Sequence, residues 1–247
     1  MLGLPDGIRA CLFDLDGVLT RTAEVHAGAW AVMFDEYLLE RSRRTREPFV
    51  PFDPALDYQL HVDGRPREDG VRTFLASRGI VLPEGSPADP PEMETVGGLS
   101  TRKNALVLRL IAERGVRAYE GSVRYLHAAR AAGMKTGVVS SSANCLAVIQ
   151  AAGIADQFDV RVDGIVAAER GLPGKPAPDT FLAAAAGLGV APAQAAVFED
   201  ALAGVAAGRA GGFGIVVGVD RVGHAQALLD NGADIAVGDL AELMEDT

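Results

Sequence analysis

Cysteine is scarce in this sequence: Cys11 and Cys145 are the two cysteines among 247 residues. Two cysteines cannot build a disulfide framework, and no Cys-x-x-Cys pair suggests a redox or zinc site. Cys11 lies in the first predicted strand and Cys145 follows a Ser/Asn loop, and we expect both to be small core side chains. The fold must therefore be held together by a packed core, for which 247 residues are ample.

Long apolar runs and an excess of positive charge are also missing. No run approaches the length of a membrane span, and no basic flank with an apolar region indicates a signal peptide. We therefore expect a cytoplasmic protein without a membrane partner. The 23 Lys and Arg against 33 Asp and Glu give a net charge of −10, which argues against nucleic-acid binding. A phosphorylated substrate is still compatible, because a metal ion and a few local cations can override the overall field.

The sequence does not match three common ligand-binding motifs that parts of it resemble. The pair Asp14 and Asp16 lacks the third acidic ligand and the glycine of an EF-hand, and Val25 stands at the position of its bidentate glutamate. Gly174-Lys175 does not have P-loop spacing. The glycines at 211–214 follow a predicted helix, where a dinucleotide fingerprint would follow a strand.

Alternating strands and helices dominate the sequence. Short apolar runs alternate with segments of helical periodicity, which predicts an α/β fold with a Rossmann-like, doubly wound parallel sheet. We predict strands at 8–14, 135–140, 158–166, 195–198, 214–218 and 234–237, and helices at 120–132, 144–152, 178–187, 201–210, 224–230 and 239–245.

The segment after the first strand has a different pattern. Helices are predicted over 22–39, from about Pro66 to Gly79, and over 101–114, with loops at 41–54 and 83–98. This segment predicts an inserted α-helical cap domain. We therefore assign residues 1–21 and 109–247 to the core domain and 22–108 to the cap.

Polar side chains follow four of the core's predicted strands or the loops after them. These residues are Asp14 and Asp16, the run Ser140–Asn144, Lys175, and Glu199-Asp200. Ligands bind beyond the carboxyl ends of such strands, so we expect the four segments to meet in one crevice. Carboxylates, hydroxyls, amides and a lysine fit phosphoryl transfer at a metal ion, with an aspartate as nucleophile and a second as acid/base.

Each of these segments also has a purely structural explanation when taken alone. Asp14 and Asp16 are typical of a turn after a strand. Glu199-Asp200 is compatible with capping the helix predicted over 201–210, and Lys175 with a solvated loop. The combination and its order along the chain favour the functional interpretation.

Together the four motifs resemble the haloacid dehalogenase (HAD) superfamily of phosphotransferases. The matching segments are Asp14-Leu15-Asp16-Gly17-Val18, Ser140 after its strand, Lys175-Pro176-Ala177-Pro178-Asp179 and Glu199-Asp200-Ala201-Leu202-Ala203-Gly204. The resemblance implies that Asp14 is the nucleophile and Asp16 the general acid/base. It further implies Mg²⁺ held by Asp14, the backbone carbonyl of Asp16 and Asp200, with Glu199 supporting. Ser140 and Lys175 would grip the transferring phosphoryl group.

The inserted segment resembles the cap of the β-phosphoglucomutase branch of this superfamily. The resemblance implies that His26 positions a sugar hydroxyl, that Arg67 holds the non-transferring phosphate, and that the cap closes over the substrate. The implied substrate-binding residues are Thr22, His26, Trp30, Arg67, Ser141, Ser142 and Asn144. The chain departs from that branch at Ala143, where the mutase has a lysine, and at Pro66 and Asp63 in the loop before Arg67.

Three functions remain open at this point. The first is a mutase that interconverts the 1- and 6-phosphates of a hexose through a bisphosphate and an aspartyl-phosphate enzyme. The second is a sugar-phosphate phosphatase on the same machinery, which Ala143 favours, whereas His26 and Arg67 favour the mutase. The third is a non-catalytic binding protein, which the intact acidic and lysine set opposes. We expect a monomer that acts on a small phosphorylated sugar with Mg²⁺ as cofactor.

Overall fold

The computed structural model describes residues 2–245. Within them the chain divides into two compact units. The first contains residues 2–21, 64–66 and 116–245, and the second contains residues 22–63 and 67–115. The third helix of the chain runs to Arg114, so the return to the first unit follows Gly115, beyond the predicted boundary at 108.

The first unit is built on one parallel sheet of six strands, in the order β3-β2-β1-β4-β5-β6. The strands are β1 (Ala10–Phe13), β2 (Lys135–Val139), β3 (Val160–Val162), β4 (Ala195–Glu199), β5 (Ile215–Val219) and β6 (Ile235–Val237). The predicted α/β fold class is confirmed. Strand β1 lies between β2 and β4, where both of its edges are hydrogen-bonded.

Ten α-helices accompany these strands in the described part of the chain. In the second unit they are α1 (Thr22–Thr45), α2 (Arg67–Ser77) and α3 (Val96–Arg114). In the first unit they are α4 (Glu120–Ala131), α5 (Cys145–Ala151), α6 (Gly164–Arg170), α7 (Asp179–Leu188), α8 (Leu202–Ala210), α9 (Ala225–Asp230) and α10 (Glu242–Glu245). A π-helical turn at Tyr58–Val62 and two 3₁₀ turns at Ala155–Gln157 and Pro192–Gln194 complete the structure. None of the helices among the described residues has the length and apolar character needed to cross a membrane.

The element boundaries differ from prediction mainly where a side chain starts or extends a helix. The strand predicted to reach 166 ends at Val162, because the Asp163 carboxylate accepts backbone N–H bonds from Ile165 and Val166 and begins α6. Helix α3 begins five residues before the predicted 101, since the Thr95 hydroxyl accepts from Gly98 N at 2.9 Å. The predicted loop at 41–54 is wrong for its first five residues, which continue α1.

The two units have different cores. In the first unit, small and branched aliphatic side chains such as Ala184 and Val205 form one core cluster on the sheet, and Phe13 stacks on Phe198 at a centroid distance of 4.7 Å. The second unit packs aromatic rings, with Phe34 stacked on Trp30 at a centroid distance of 5.1 Å and on Phe52 at 5.4 Å. Phe74 contacts Phe34 at 4.1 Å.

Candidate active site

The carboxyl end of β1 delivers Asp14 into the centre of the sheet edge. Phe13 pairs with Val138 on β2 and with Phe198 on β4, and the Asp14 N–H donates to the Phe198 carbonyl at 2.9 Å. Asp14 is therefore level with the last residues of both neighbouring strands, Val139 and Glu199. The predicted meeting of strand ends is observed for these segments.

Lys175 joins the two carboxylates across this edge. Its Nζ lies 2.5 Å from Asp14 Oδ1, forms a short hydrogen bond with Glu199 Oε1, and donates to the Val139 carbonyl at 3.3 Å. The residue is only 2% exposed, so the solvated-loop interpretation of Lys175 is wrong. Burial alone would lower the pKa of Lys175, but the Asp14 and Glu199 carboxylates outweigh it and hold that pKa above its usual value. The ammonium stays charged.

The same edge carries a cluster of three buried carboxylates. Asp14, Glu199 and Asp200 each offer an oxygen, and these oxygens lie within 4.8 Å of one another. Burial raises the pKa of Asp14 well above its usual value, with Lys175 opposing that shift. Three carboxylates against one ammonium leave an excess of negative charge in a buried place. This all-oxygen donor set fits a hard divalent cation.

Two glycines allow the carboxylates to approach the surrounding backbone. A Cβ atom at Gly17, whose φ is +94°, would lie 1.8 Å from Asp200 Oδ2. A Cβ atom at Gly204 would lie equally close, 1.8 Å, to Glu199 Oε1. Any side chain at either position would displace a member of the acidic cluster.

Asp16 and the serine-rich loop lie beside this cluster. Among the described residues, the Asp16 carboxylate is not part of the group of three carboxylates. The sequence predicts that Asp16 contacts the metal through its backbone carbonyl, and this contact stays a prediction. The Ser140 hydroxyl is 3.5 Å from Asp16 Oδ2 and accepts the Ser142 N–H at 3.1 Å. The Ser142 hydroxyl accepts the Asn144 N–H at 3.1 Å. The loop is thus ordered by its own hydroxyls.

Ser141 makes a contact that the sequence did not predict. Its hydroxyl donates to the carbonyl of Gly64 at 2.7 Å. The proton of this hydroxyl is therefore engaged by backbone, whereas the sequence assigned Ser141 to substrate binding.

The remaining predicted substrate residues belong to the second unit. Thr22 and Trp30 are buried there, and Arg67 begins α2 with its guanidinium 3.7 Å from Glu68. Lys103 Nζ lies 2.9 Å from His26 Nδ1 and 4.8 Å from the centre of the Trp30 ring. The Lys103 ammonium can only donate, so it is matched by an acceptor lone pair at His26 Nδ1.

Lys103 lies in Arg102-Lys103-Asn104, a segment of the sequence that resembles the returning part of the cap, but no role was assigned to it from the sequence. It is 4% exposed and stands four residues after Leu99 and four before Val107, both fully buried. A lysine on the apolar face of a helix is unusual, and this position in the pattern could have indicated a functional role for Lys103.

Arg221 was also not identified as functional from the sequence, because no pattern in the neighbouring sequence indicates its role. Its Nε donates to the Gly17 carbonyl at 2.9 Å, and its Nη2 to the Val18 carbonyl at 3.2 Å and to Ser122 Oγ at 2.9 Å. The guanidinium also pairs with Asp239 at 3.0 Å and lies 3.7 Å from the centre of the Tyr119 ring. Arg221 thereby fixes the loop that immediately follows Asp16.

A sheet edge with this set of groups defines a phosphotransferase of the HAD type, and sequence comparison agrees. Residues 8–212 match the family model described as haloacid dehalogenase-like hydrolase. The chain belongs to this family.

Comparisons with individual proteins show which members of the family the chain is similar to. The chain is 58% identical to a β-phosphoglucomutase of Mycobacterium bovis over 247 residues, which cover 99% of this chain and 94% of the relative. It is 29% identical to a validoxylamine A 7'-phosphate phosphatase of Streptomyces hygroscopicus subsp. limoneus, with 95% of each chain covered. A crystal structure of β-phosphoglucomutase from Clostridium difficile superposes with a TM-score of 0.73 at 27% identity, covering 96% of this chain and 93% of that one. The predicted resemblance to the β-phosphoglucomutase branch is confirmed.

Proposed function

We propose that this enzyme is a Mg²⁺-dependent β-phosphoglucomutase that interconverts β-glucose 1-phosphate and glucose 6-phosphate. The observation that supports phosphoryl transfer is the buried set of Asp14, Lys175, Glu199 and Asp200 at the centre of the sheet edge. The 58% identity to a β-phosphoglucomutase over nearly the whole chain supports the mutase reaction.

In the proposed first half-reaction the phosphoryl group starts on Asp14. The sugar O6 attacks phosphorus, the bond between phosphorus and the Asp14 carboxylate breaks, and the O6 proton passes to Asp16. The product is glucose 1,6-bisphosphate with a free Asp14. Lys175, held on Asp14 Oδ1, offsets the negative charge that collects there.

In the second half-reaction the bisphosphate is bound in the opposite orientation. Asp14 attacks the phosphorus of the 1-phosphate, the bond from phosphorus to O1 breaks, and Asp16 returns its proton to O1. Glucose 6-phosphate leaves and the phosphorylated enzyme is regenerated. Mg²⁺, held by Asp14, Asp200 and the Asp16 carbonyl with Glu199 in support, would neutralise phosphoryl oxygens when bound.

The other predicted site residues have recognition roles in this proposal. Ser140 donates to the transferring phosphoryl group, while Arg67, Ser142 and Asn144 bind the second phosphate, for which Arg geometry is well suited. Thr22, His26 and Trp30 contact the sugar. A monomeric, cytoplasmic enzyme without nucleic-acid partners stays a prediction.

A sugar-phosphate phosphatase is the second candidate. Two observations favour it: the phosphatase relative aligned over 95% of the chain, and Ala143, which leaves the serine loop without the lysine of the mutase branch. On the same residues, water would take the place of the sugar hydroxyl and release inorganic phosphate.

Phosphorus NMR separates the two candidates. The enzyme is incubated with β-glucose 1-phosphate, Mg²⁺ and a trace of glucose 1,6-bisphosphate. Glucose 6-phosphate without inorganic phosphate is the expected result. Inorganic phosphate in its place would identify a phosphatase, and no conversion would remove glucose as the sugar.

A further inference from the structure

Arg161 is the central residue of the edge strand β3, next to the serine-rich loop of the candidate site. Its neighbours Val160 and Val162 both pack into the core cluster on the sheet. Successive side chains of a strand point to opposite faces, so Arg161 projects from the other face. Its side chain is 32% exposed and is therefore neither in the core nor fully solvated.

The Asp163 carboxylate lies against one edge of the Arg161 guanidinium. Arg161 Nε is 2.9 Å from Asp163 Oδ2, and the Asp163 side chain is fully buried. Neither atom has an aligned hydrogen bond among the described residues, so the two groups attract by charge. The other oxygen of Asp163, Oδ1, accepts the N–H groups of Ile165 at 3.1 Å and Val166 at 3.0 Å. The start of α6 therefore fixes the carboxylate that pairs with Arg161.

The rest of the guanidinium is available for a ligand. Among the residues that the structure describes, Arg161 is paired with Asp163 through Nε, and no hydrogen bond uses its two Nη atoms. A guanidinium has five N–H donors, one of which is on Nε. The donors on the two Nη atoms form a planar fork that matches two oxygens of a phosphate.

The segment that carries this ion pair packs directly on the loop Ser140–Asn144. The N–H of Gly164, next to Asp163, donates to the Ser142 carbonyl at 3.2 Å. A Cβ atom at Gly164 would lie 3.0 Å from the backbone nitrogen of Ala143, so the approach depends on the absence of a side chain. Asp163 and the guanidinium paired with it are therefore one residue away from contact with this loop.

The charge of Arg161 also acts on a group that senses the proposed catalytic carboxylates. Burial raises the pKa of the thiol of Cys145, the residue directly after the loop. The carboxylates of Asp16, Asp163 and Asp14 raise this pKa further. Arg161 opposes them and lowers it. Because such effects fall off with distance, Arg161 shares the electrostatic environment of Asp14 and Asp16.

We infer that Arg161 is a substrate-binding residue whose Nη atoms hold the second phosphate at the loop Ser140–Asn144. The inference rests on the proposed mutase function, in which Ser142 and Asn144 bind that phosphate. Both side chains are neutral and Ala143 between them adds no charge, whereas a phosphate group carries about −1.5 to −2 charges. Arg161 belongs to the same unit as the loop and supplies the cation that the loop itself lacks.

The test measures KM and kcat for β-glucose 1-phosphate, whose 1-phosphate is the second phosphate in the first half-reaction. Arg161→Met removes the donors and should raise KM about 10-fold or more, with kcat within about 3-fold of the wild type. Arg161→Lys keeps the charge but not the fork, and should raise KM about 3-fold.

Arg130→Met is the matched control for these variants. Arg130 lies at the opposite end of the same strand, where it pairs with Asp159 at 3.3 Å, and its side chain is 34% exposed. It is thus as exposed as Arg161 and also paired with an aspartate. Its loss should leave KM unchanged.

A relocated cation separates phosphate binding from support of Asp163. Ala143 is exposed, so a lysine is compatible with that position. The double variant Arg161→Met/Ala143→Lys returns a cation to the loop and should bring KM back toward the wild-type value. The ion pair with Asp163 is still broken in this variant, so a role confined to that pair predicts no recovery.

The outcomes separate the inference from the function on which it rests. If the wild type isomerises glucose phosphate and Arg161→Met raises KM no more than Arg130→Met does, Arg161 does not bind the phosphate. A raised KM that Ala143→Lys does not reverse would show that Arg161 only supports Asp163, and would overturn the inference. Should Arg161→Met fail to fold, the same comparison is made with Arg161→Lys. If the wild type releases inorganic phosphate and forms no glucose 6-phosphate, the mutase function and this inference both fail.

Discussion

The two units of this protein differ in the composition of their cores and in the charged side chains that they bury. The first packs small aliphatic side chains on its sheet and buries Asp14, Lys175 and Glu199 at the strand ends. The second has a core of stacked aromatic rings. A charged group in a core is stable only when its partners are fixed, and strands bonded on both edges supply that rigidity. Aromatic rings require area and shape but no charge partner, and the one buried ammonium among the described residues of this unit, that of Lys103, lies over the Trp30 ring.

Loss of Asp14, the proposed nucleophile, should produce the largest effect and tests the role of the charged groups buried in the first unit. Asp14→Asn keeps the shape of the side chain but cannot attack phosphorus, so turnover should fall by at least about 10³-fold. Measurement of glucose 6-phosphate formation by a coupled assay checks this. The matched control is Asp6→Asn at an exposed aspartate, which should retain full activity. Retained turnover in Asp14→Asn would remove Asp14 as the nucleophile.

Removal of the buried cation should cost stability as well as activity. Lys175→Met leaves Asp14 and Glu199 facing each other without compensation, and should lower the free energy of unfolding by about 4 kcal/mol. Urea titration measures this loss. Lys135→Met is the control, because Lys135 is exposed and donates to the Leu188 carbonyl at the surface. Equal losses in the two variants would contradict the view that the buried charges depend on each other.

Truncation of a ring tests the aromatic core of the second unit. Phe74 is fully buried and contacts Phe34 and Phe52, so Phe74→Ala should cost about 3 kcal/mol. Hydrogen exchange should accelerate in α1, α2 and α3 while the amides of β1 and β4 stay protected. Phe49→Ala, at a ring that is 39% exposed, should change little. Equal acceleration in the sheet would show that the two cores unfold as one.

The smallest effect is expected at Arg221. This residue holds the loop after Asp16 but is not itself one of the proposed site residues. Arg221→Met frees the carbonyls of Gly17 and Val18 and should lower kcat about 10-fold while KM changes little. It should also weaken Mn²⁺ binding measured by EPR without substrate. Arg130→Met is the control, because Arg130 bridges the Gln157 carbonyl and Asp159 beside β2 and β3 in a similar way. If Arg130→Met lowers kcat as much, Arg221 has no specific positioning role.

Sequence reasoning succeeded where chemistry and secondary structure coincide. Strands end directly before Asp14, directly before the Ser140 loop and at Glu199. Parallel strands bring such ends to one edge of the sheet. Lys175 could be grouped with them by its motif, although only the structure shows it buried between two carboxylates.

The residues that escaped prediction are those whose role depends on distant parts of the chain. Arg221 lies more than 200 positions from Gly17, to which it donates, and nothing in its own neighbourhood encodes that bond. The contact of Ser141 with Gly64 likewise joins positions 77 residues apart. The helix ends of the second unit were misjudged: α3 begins at the Thr95 cap, with Val96 and Leu99 already on its buried face, and α1 continues to a basic last turn.

The route by which the chain leaves and re-enters the first unit has a consequence for how such proteins can be rebuilt. Thr20 forms an antiparallel bridge with Ala118, and the Arg21 N–H donates to the Arg117 carbonyl at 2.8 Å. These two crossing points therefore have the spacing of a hairpin, and between them the chain returns to the first unit once more, at Gly64–Pro66. Closing a loop costs little more as it lengthens, so a joint with hairpin spacing tolerates a long insert. A different helical insert grafted between Arg21 and Val116 should therefore leave the bridge from Thr20 to Ala118, and with it the path of the sheet, intact.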